Sequence, residues 1–286
     1  MNDPLVYLSS DGSASITALS EAKVSVLDRG FIFGDGIYEV IPVYARKMFR
    51  AEQHMARLFR SLAAIGIANP HTKEEWLGLL QQVMDAHPDA DQMLYVQVTR
   101  GVAKRGHAFP AETVPTVFIM SNPLVPLADE VRAKGVICVA MDDQRWLHCE
   151  IKSTSLLGNV LAAQNAVEQG AVESIQFRDG FLTEGSASNV WIVKDGVVSG
   201  PPKDNLILEG IRYGLLEELC AAQQIPLQER RITRAEVFAA DEVFLSSAGK
   251  EVLAVVQIDD QTIANGVPGP IYQQLYAAYQ DAKAAN

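Results

Sequence analysis

Three short segments of the sequence contain side chains that could bind and transform a small polar substrate. The first has a lysine, Lys152, after an apolar stretch. The second has a basic pair, Arg105 and His107, and the third has a glutamate, Glu184, among small polar residues. An amine can attack a carbonyl carbon, and paired cationic side chains can bind a carboxylate. These residue types are compatible with an enzyme that acts on carboxylate substrates.

Lys152 lies between an apolar stretch and the predicted start of a helix. Desolvation there would lower the pKa of the amine and make Lys152 a nucleophile toward carbonyl carbons. A solvated lysine at a helix N-terminus is the simpler explanation of the position alone. A cation at the positive end of a helix dipole is slightly unfavourable, so the functional interpretation stays open.

The basic pair and the glutamate each admit two interpretations. Arg105 and His107 follow a predicted strand and could clamp a carboxylate, or they could form a solvated basic loop with Lys104. Glu184 lies in a segment of small polar residues between predicted strands, so it could face a cofactor nitrogen or belong to an ordinary turn. The residue types alone do not decide between these alternatives.

Several common catalytic signatures are absent from the sequence. No G-x-G-x-x-G follows a predicted strand, and no P-loop, H-E-x-x-H or G-x-S-x-G motif occurs. The three cysteines, Cys138, Cys149 and Cys220, have neither C-x-x-C nor Cys/His ligand spacing. We therefore expect no metal site, and we expect reduced thiols in a cytoplasmic protein.

Length and composition predict a globular chain of about two domains. Of 286 residues, 48% are hydrophobic, and the formal net charge is -11, which opposes binding to nucleic acid. The N-terminal residues have no basic and apolar pattern of a signal peptide, and no apolar run approaches the ~18 residues of a membrane-spanning helix. The expected partners are small molecules, without nucleic acid or membrane.

Periodicity predicts an α+β chain in which short strands alternate with helices. Helical spacing is clear from 54 to 65, 73 to 86, 155 to 169, 211 to 224 and 270 to 285. Strands are predicted at 93–99, 116–120, 136–141 and 243–246, with hairpin turns at Asp179-Gly180 and Asp195-Gly196. A proline-containing segment at 121–128 predicts a linker between an N-terminal domain, 1–120, and a C-terminal domain, 129–286.

Seven segments, in order between about residues 24 and 256, resemble the fold-type IV pyridoxal phosphate enzymes. The resemblance is greatest to the D-amino-acid aminotransferases of the class IV aminotransferase family. The segments are Asp28–Val40, Glu52–Leu58, Arg105–His107, Arg145–Ser153, Thr183–Ser186, Ile207–Arg212 and Ser246–Glu251. Each motif is weak alone, but seven in register are a specific signal.

The resemblance implies pyridoxal 5'-phosphate as cofactor, with Lys152 forming the internal aldimine and later shuttling the proton. It implies cofactor contacts from Arg57, Lys152, Glu184, Ser186, Leu208, Ile211, Arg212, Ser247 and Ala248. It implies substrate carboxylate contacts from Tyr38, Arg105 and His107. Two positions depart from the family pattern, since Arg212 replaces a common threonine and Ala248 replaces a hydroxyl residue. Backbone N–H groups survive at both, so we expect altered phosphate contacts rather than loss of the cofactor.

The implied fold has a small N-terminal α/β domain and a larger C-terminal pseudo-barrel domain, in a homodimer that can share the Arg105–His107 pair between subunits. The implied reaction is transamination of D-amino acids with 2-oxo acids, such as D-alanine with 2-oxoglutarate to pyruvate and D-glutamate. Branched-chain L-amino-acid aminotransferases and aminodeoxychorismate lyases share the fold and remain alternatives. Amine transaminases of (R) selectivity and a non-catalytic binding protein are more remote.

Overall fold

The computed structural model describes residues 3–10 and 12–286. The chain forms two compact units, each with its own sheet and apolar core. The first contains Met1–Val125 and Ile151–Leu156, and the second contains Pro126–Glu150 and Leu157–Asn286. The chain therefore returns briefly to the first unit after it has entered the second, and the returning segment carries Lys152.

The first unit is a six-stranded antiparallel sheet with two long helices and one short one. Its elements are β1 (Leu5–Ser10), β2 (Ser13–Ala18), α1 (Arg29–Phe33), β3 (Gly36–Tyr44), β4 (Lys47–Met48), α2 (Ala51–Ala64), α3 (Lys73–Ala86), β5 (Gln92–Thr99) and β6 (Thr116–Pro123). The strand order is β2-β1-β6-β5-β3-β4. β3 lies one strand from the edge of the sheet and pairs along most of its length with β5, while the short β4 pairs only with its end.

Amphipathic patterning builds the core of the first unit. Leu94, Val96 and Val98 alternate along β5 on the buried face, as the sequence predicts. Leu58 and Leu62 of α2 pack against the same core at helical spacing. The predicted helix at 73–86 is confirmed as α3, which begins with a capping box between Thr72 and Glu75.

The second unit is a nine-stranded mixed sheet with five helices packed around it. Its elements are α4 (Asp129–Lys134), β7 (Val136–Asp142), α5 (Leu157–Glu168), β8 (Glu173–Arg178), β9 (Phe181–Gly185), β10 (Asn189–Lys194), β11 (Val197–Gly200), α6 (Ile211–Ala222), β12 (Leu227–Glu229), α7 (Arg234–Phe238), β13 (Glu242–Ser247), β14 (Glu251–Ile258), β15 (Gln261–Thr262) and α8 (Pro270–Ala284). The main order is β12-β11-β10-β13-β14-β7-β8-β9, with β15 beside β14. Contacts between β9 and β10 show that this sheet curls toward a half-barrel.

The two predicted hairpins are confirmed in the second unit. Asp179-Gly180 joins β8 to β9, and Asp195-Gly196 joins β10 to β11. All four turn residues have positive φ, the conformation in which Asp-Gly joins twisted antiparallel strands most easily. The first hairpin brings β9, and with it Glu184, back along the sheet.

Some elements differ from the sequence prediction. β6 extends to Pro123, so the first three residues of the predicted linker at 121–128 are paired strand. Ile151–Leu156 groups with the first unit, although the predicted division places it in the C-terminal domain. Before α1 the chain around Val24 and Val26 is irregular, and both valines are exposed. None of the helices in the described part of the chain is long and apolar enough to cross a membrane.

Candidate active site

The segment that carries Lys152 is fastened to β3 by backbone hydrogen bonds. The Tyr38 amide donates to the Lys152 carbonyl at 2.9 Å, and the Thr154 amide donates to the Gly36 carbonyl at 3.0 Å. A Cβ at Gly36 would lie 2.7 Å from the Val98 carbonyl oxygen, so glycine is needed for this close packing. The backbone therefore fixes Lys152 beside the strand that carries Tyr38.

The Lys152 amine lies against an aromatic ring rather than a carboxylate. Its Nζ is 4.1 Å from the centroid of the Tyr38 ring, and the residue is half-buried. Within residues 3–10 and 12–286, no carboxylate forms an ion pair with this amine. An amine that is not held in an ion pair is available to act as a nucleophile or a base.

Arg57 belongs to a buried ionic cluster that joins α2 to β3. Its Nε and Nη2 donate to the two carboxylate oxygens of Glu39 at 2.7 and 2.9 Å. His54 Nδ1 contacts the same carboxylate at 2.8 Å. Burial alone would raise the pKa of Glu39, but the charge and hydrogen bonds of Arg57, with those of His54, hold that pKa well below its usual range. Glu39 stays ionised and fixes the Arg57 guanidinium.

Arg105 and His107 lie on an exposed loop after β5. The Arg105 guanidinium carbon is 5.4 Å from the centroid of the Phe33 ring, and the His107 ring centroid is 5.5 Å from the same ring. In the part of the chain that the structure describes, neither side chain has a carboxylate partner. The ring of Phe33 thus supports two donors that can bind an external carboxylate.

Glu184, at the end of β9, is a buried carboxyl group with three donors around it. Arg145 Nη1 donates to one oxygen, while Asn189 Nδ2 and the Leu208 amide donate to the other at 3.3 and 3.1 Å. Burial raises the pKa of Glu184 to about 7, although the charge of Arg145 opposes the shift. The protein alone therefore compensates a negative charge on Glu184 only in part.

Arg145 is shared between Glu184 and a second carboxylate, that of Asp143. Asp143 accepts from Arg145 Nη2 at 2.8 Å and from Nε at 3.0 Å. Arg178 Nη2 lies 3.1 Å from the same carboxylate, and Thr183 Oγ1 donates to it at 2.9 Å. Two carboxylates thus share the Arg145 guanidinium, and a further cation would stabilise ionised Glu184.

Two residues expected to contact a cofactor use the relevant donors within the protein. The Ser186 amide donates to Glu173 at 2.9 Å, and its hydroxyl donates to the same carboxylate. Glu173 is buried and is also paired with Lys250 Nζ at 2.9 Å. The Leu208 amide donates to Glu184. The Ser186 amide is thus engaged with the Glu173 carboxylate, and the Leu208 amide with that of Glu184.

The predicted phosphate-binding residues lie at the start of α6 and in the turn after β13. Gly210 precedes α6, and no side chain caps the helix. The amides of Ile211 and Arg212 therefore occupy a helix N-terminus, where anions bind well. The Arg212 side chain is buried and its Nε donates to the Tyr279 hydroxyl at 3.3 Å. Its guanidinium is thus packed against α8.

Ser247, the last residue of β13, closes the turn that follows this strand. Ser247 Oγ accepts from the Lys250 amide at 3.1 Å, and Ala248 is partly exposed in the same turn. The Ser247 hydroxyl keeps its own proton for a further acceptor. The sequence placed both residues beside a cofactor phosphate, and that assignment stays a prediction.

The chain is similar to aminotransferases over most of its length. The family model for amino-transferase class IV matches residues 36–258. The curated D-alanine aminotransferase of Bacillus licheniformis is 40% identical over 263 residues, which cover 92% of this chain and 93% of that protein. That of Staphylococcus epidermidis is 39% identical and covers 91% and 92%. This chain belongs to the class IV aminotransferases.

Solved structures of other class IV aminotransferases have the same fold. The branched-chain amino acid aminotransferase of Escherichia coli has a TM-score of 0.91 at 23% identity, covering 98% of this chain and 94% of that chain. The branched-chain enzyme of Thermoproteus uzoniensis, solved with norvaline, has a TM-score of 0.89 at 28% identity and covers 98% and 95%. The predicted α+β, fold-type IV architecture is therefore confirmed.

Class IV aminotransferases use pyridoxal phosphate, and the residues present fit this cofactor. A further branched-chain amino acid aminotransferase, with a TM-score of 0.92 at 24% identity over 100% of this chain and 95% of that chain, was solved with pyridoxamine 5'-phosphate. In this class IV aminotransferase, Glu184 accepts three hydrogen bonds and has room for one more donor. A protonated pyridine nitrogen would supply the missing cation, and the amine of Lys152 is available for the cofactor aldehyde.

Several residues that organise this aminotransferase site were not assigned a role from the sequence. Glu39 and Glu173 are buried carboxylates on β3 and β8. An acidic residue at a core-facing strand position is rarely left unpaired, and this signal could have indicated both. Asp143, Arg145 and Asn189 surround Glu184, but their pairing became visible only when distant segments were brought together in the fold.

Proposed function

We propose that this aminotransferase exchanges the amino group between D-amino acids and 2-oxo acids, as in D-alanine with 2-oxoglutarate to pyruvate and D-glutamate. The observation that carries the proposal is the placement of Arg105 and His107 together over Phe33, without internal carboxylate partners. The curated relatives named D-alanine aminotransferases, at about 40% identity, support the same substrate class.

Lys152 performs the proton transfer in this proposal. Its amine would hold the cofactor through the aldehyde group, and once free it would take the proton from the substrate α-carbon. Bound pyridoxal phosphate supplies an electron sink for the pair of electrons that this step releases. The same Nζ atom would hold this proton and pass it on, so that one amine serves first as base and then as acid. The Tyr38 ring, 4.1 Å from Nζ, limits the directions that the amine can take.

The other predicted residues are proposed to bind the cofactor or the substrate. Glu184 holds the proton on the pyridine nitrogen. Arg57, Ser247, Ala248 and the amides of Ile211 and Arg212 bind the phosphate, since a guanidinium and a helix N-terminus both favour an anion. Tyr38, Arg105 and His107 bind the substrate carboxylate. The side on which they hold it decides whether the α-hydrogen of a D- or an L-amino acid faces the amine.

The experiment that tests this function is a steady-state assay with defined enantiomers. The cofactor-loaded protein, given D-alanine and 2-oxoglutarate, is expected to form pyruvate and D-glutamate, resolved by chiral chromatography. L-Leucine with the same 2-oxo acid tests the branched-chain alternative. Activity with L-leucine alone would overturn the proposal, and pyruvate release from aminodeoxychorismate without a 2-oxo acid would assign the lyase reaction instead.

Replacing Arg105 with alanine is expected to raise KM for D-alanine without a large change in kcat. The loss of a charged hydrogen bond costs about 1.5–3 kcal/mol, which corresponds to roughly tenfold to hundredfold weaker binding. Initial rates over a range of D-alanine concentrations measure the effect. Lys104→Ala, one position earlier on the same exposed loop, serves as the control and should leave KM unchanged. Equal KM values for Arg105→Ala and the parent would mean that the carboxylate binds elsewhere.

A homodimer is part of the proposal. Four apolar side chains on one side of α5 are more than half exposed: Leu157, Val160, Leu161 and Val167. A stripe of this kind commonly marks a protein–protein interface, and a second copy of the chain is the partner we propose. Arg105 and His107 are also exposed in the single chain, which suits a role toward the partner's site. The three buried free thiols support a cytoplasmic location.

Subunit mixing tests the shared site. Lys152→Ala and Arg105→Ala chains carrying different tags are co-expressed, and the doubly tagged hybrid is isolated. If Arg105 serves the partner's site, each hybrid has one site with both native residues. Activity at low D-alanine should then recover to about half that of the parent dimer. Two results would contradict the shared site. One is a hybrid no more active at that concentration than the Lys152→Ala and Arg105→Ala homodimers. The other is a monomer in sedimentation equilibrium.

A further inference from the structure

The geometry points to Asp35 and Arg29 as positioning residues for the loop that presents Arg105 and His107 to the substrate carboxylate. The inference rests on the proposed function, because it concerns how that carboxylate site is held in place. Neither residue reaches the substrate itself in this account. They act on the backbone of the loop, and so on the affinity for molecules that carry a carboxylate.

Arg29 binds three successive carbonyl groups of the loop. Its Nη1 donates to the Gly106 carbonyl at 2.6 Å and to that of Ala108 at 3.5 Å, and its Nη2 donates to the His107 carbonyl at 3.3 Å. Arg29 is buried, with 4% of its surface exposed. One planar guanidinium therefore fixes the backbone of residues 106–108, which includes His107 and directly follows Arg105.

Asp35 holds the Arg29 guanidinium in the orientation that this contact needs. Its Oδ2 accepts from Arg29 Nε at 2.7 Å. The same carboxylate accepts from Arg100 Nε at 2.8 Å and from Arg100 Nη2 at 3.0 Å. Burial would raise the pKa of Asp35, but Arg100 and Arg29 lower it below its usual value. Asp35 is thus a charged bridge between two arginines.

Arg100 extends the same bridge to the end of α2. Its Nη2 donates to the Ile65 carbonyl at 2.7 Å, and its Nη1 donates to the Gly66 carbonyl at 3.1 Å. Its guanidinium carbon is 3.6 Å from the centroid of the Phe109 ring. The loop is therefore anchored at 106–108 by Arg29 and at 109 by Arg100, and both anchors depend on one carboxylate.

This anchoring matters because the loop has few other constraints. Residues 104–109 are exposed, and they form neither helix nor strand. An unfixed loop of this kind would lose conformational entropy each time it bound a carboxylate, and that loss would weaken binding. Asp35 also directly precedes β3, which carries Tyr38. A single carboxylate thus ties the loop of Arg105 and His107 to the start of the strand that carries Tyr38.

A pair of achiral probes isolates the carboxylate site from catalysis. Aminooxyacetate and methoxyamine both react with the aldehyde of bound pyridoxal phosphate, but only aminooxyacetate has a carboxylate. The ratio of their second-order rate constants, followed by the visible absorbance of the cofactor-loaded protein, reports how well the carboxylate is bound. We expect Arg29→Lys, which keeps the charge but loses the planar fork, to lower this ratio about tenfold. Asp35→Asn should lower it similarly.

The control variant is Glu242→Gln in the second unit. Glu242 is a buried carboxylate that accepts from the Ile271 and Tyr272 amides at the start of α8, remote in sequence from the loop. The Glu242→Gln variant should lower the free energy of unfolding without changing the ratio of the two rate constants. Equal ratios in the parent and in folded Arg29→Lys would overturn the inference. So would an equal fall for both probes, because that would show general damage rather than misplacement of the loop.

A double variant tests whether Arg29 acts through Arg105. If it does, Arg29→Lys should change the ratio little in an Arg105→Ala background, because the group that it positions is already missing. Full additivity of the two effects would overturn the inference. Both probes are achiral, so the ratio of their rate constants does not depend on whether the enzyme prefers D- or L-amino acids. If the parent protein instead turned over L-leucine and not D-alanine, the proposed function would fail while the rate ratio still tested the loop.

Discussion

Replacing Lys152 with alanine is expected to abolish turnover, lowering kcat by at least about ten-thousandfold. The amine of Lys152 is the group proposed both to hold the cofactor aldehyde and to move the α-proton, and losses of this size follow removal of a nucleophile and general base. The fold should survive, because the amine lies beside the Tyr38 ring and takes part in no ion pair within the described chain. Single-turnover absorbance with D-alanine, after loading with excess cofactor, measures the effect.

The control for this variant is another lysine of the chain. Lys134 is exposed at the end of α4, and Lys134→Ala should leave both kcat and the visible absorbance unchanged. Added methylamine should restore part of the lost activity in Lys152→Ala, because a free amine can occupy the vacated space and accept a proton. Turnover of Lys152→Ala at the rate of the parent would refute the assignment of the proton-transfer group.

Replacing Glu184 with glutamine is expected to lower kcat by about a hundredfold to a thousandfold. Glutamine keeps the size of the side chain but cannot carry the negative charge that favours a proton on the pyridine nitrogen. Loss of one electrostatic stabiliser of the transition state has an effect of this size. The measurement is the rate of absorbance change in the half-reaction with D-alanine. A rate within about twofold of the parent would exclude Glu184 as the partner of the nitrogen.

The same variant should change how stability depends on pH in the cofactor-free protein. Burial raises the pKa of Glu184 to about 7, above the ordinary value of 4.5. Between these values the folded state binds more protons than the unfolded state. Stability from Glu184 is therefore complete below about pH 4.5 and is lost as the pH rises through about 7. Glu184→Gln lacks this titration, so urea unfolding at pH 5 and pH 8 should show a smaller difference than in the parent.

Helical periodicity and turn chemistry predicted much of the fold because they depend on residues close in sequence. The α3 bounds and the hairpin turns at Asp179-Gly180 and Asp195-Gly196 follow from local patterns. β14 was not predicted, although it lies near the centre of the second sheet.

The candidate site was predicted less completely than the fold. The motifs indicated Lys152 and Glu184, since each lies in a segment that resembles the family pattern. The pairing of Glu184 with Arg145 spans 39 residues, and that of Asp35 with Arg100 spans 65. Such pairs form only when the sheets bring distant segments together, so no local pattern reports them. For the same reason the sequence could not show that Ser186 donates to Glu173.

A stereospecific half-reaction tests the central claim most directly. The cofactor-loaded protein is mixed separately with D-alanine and with L-leucine, without a 2-oxo acid, while its visible absorbance is followed. We expect the band to disappear with D-alanine and to persist with L-leucine, because the proposed carboxylate site at Arg105 and His107 would turn the α-hydrogen of a D-amino acid toward Lys152. Disappearance with L-leucine alone would contradict this account and assign the chain to the branched-chain L-amino-acid aminotransferases.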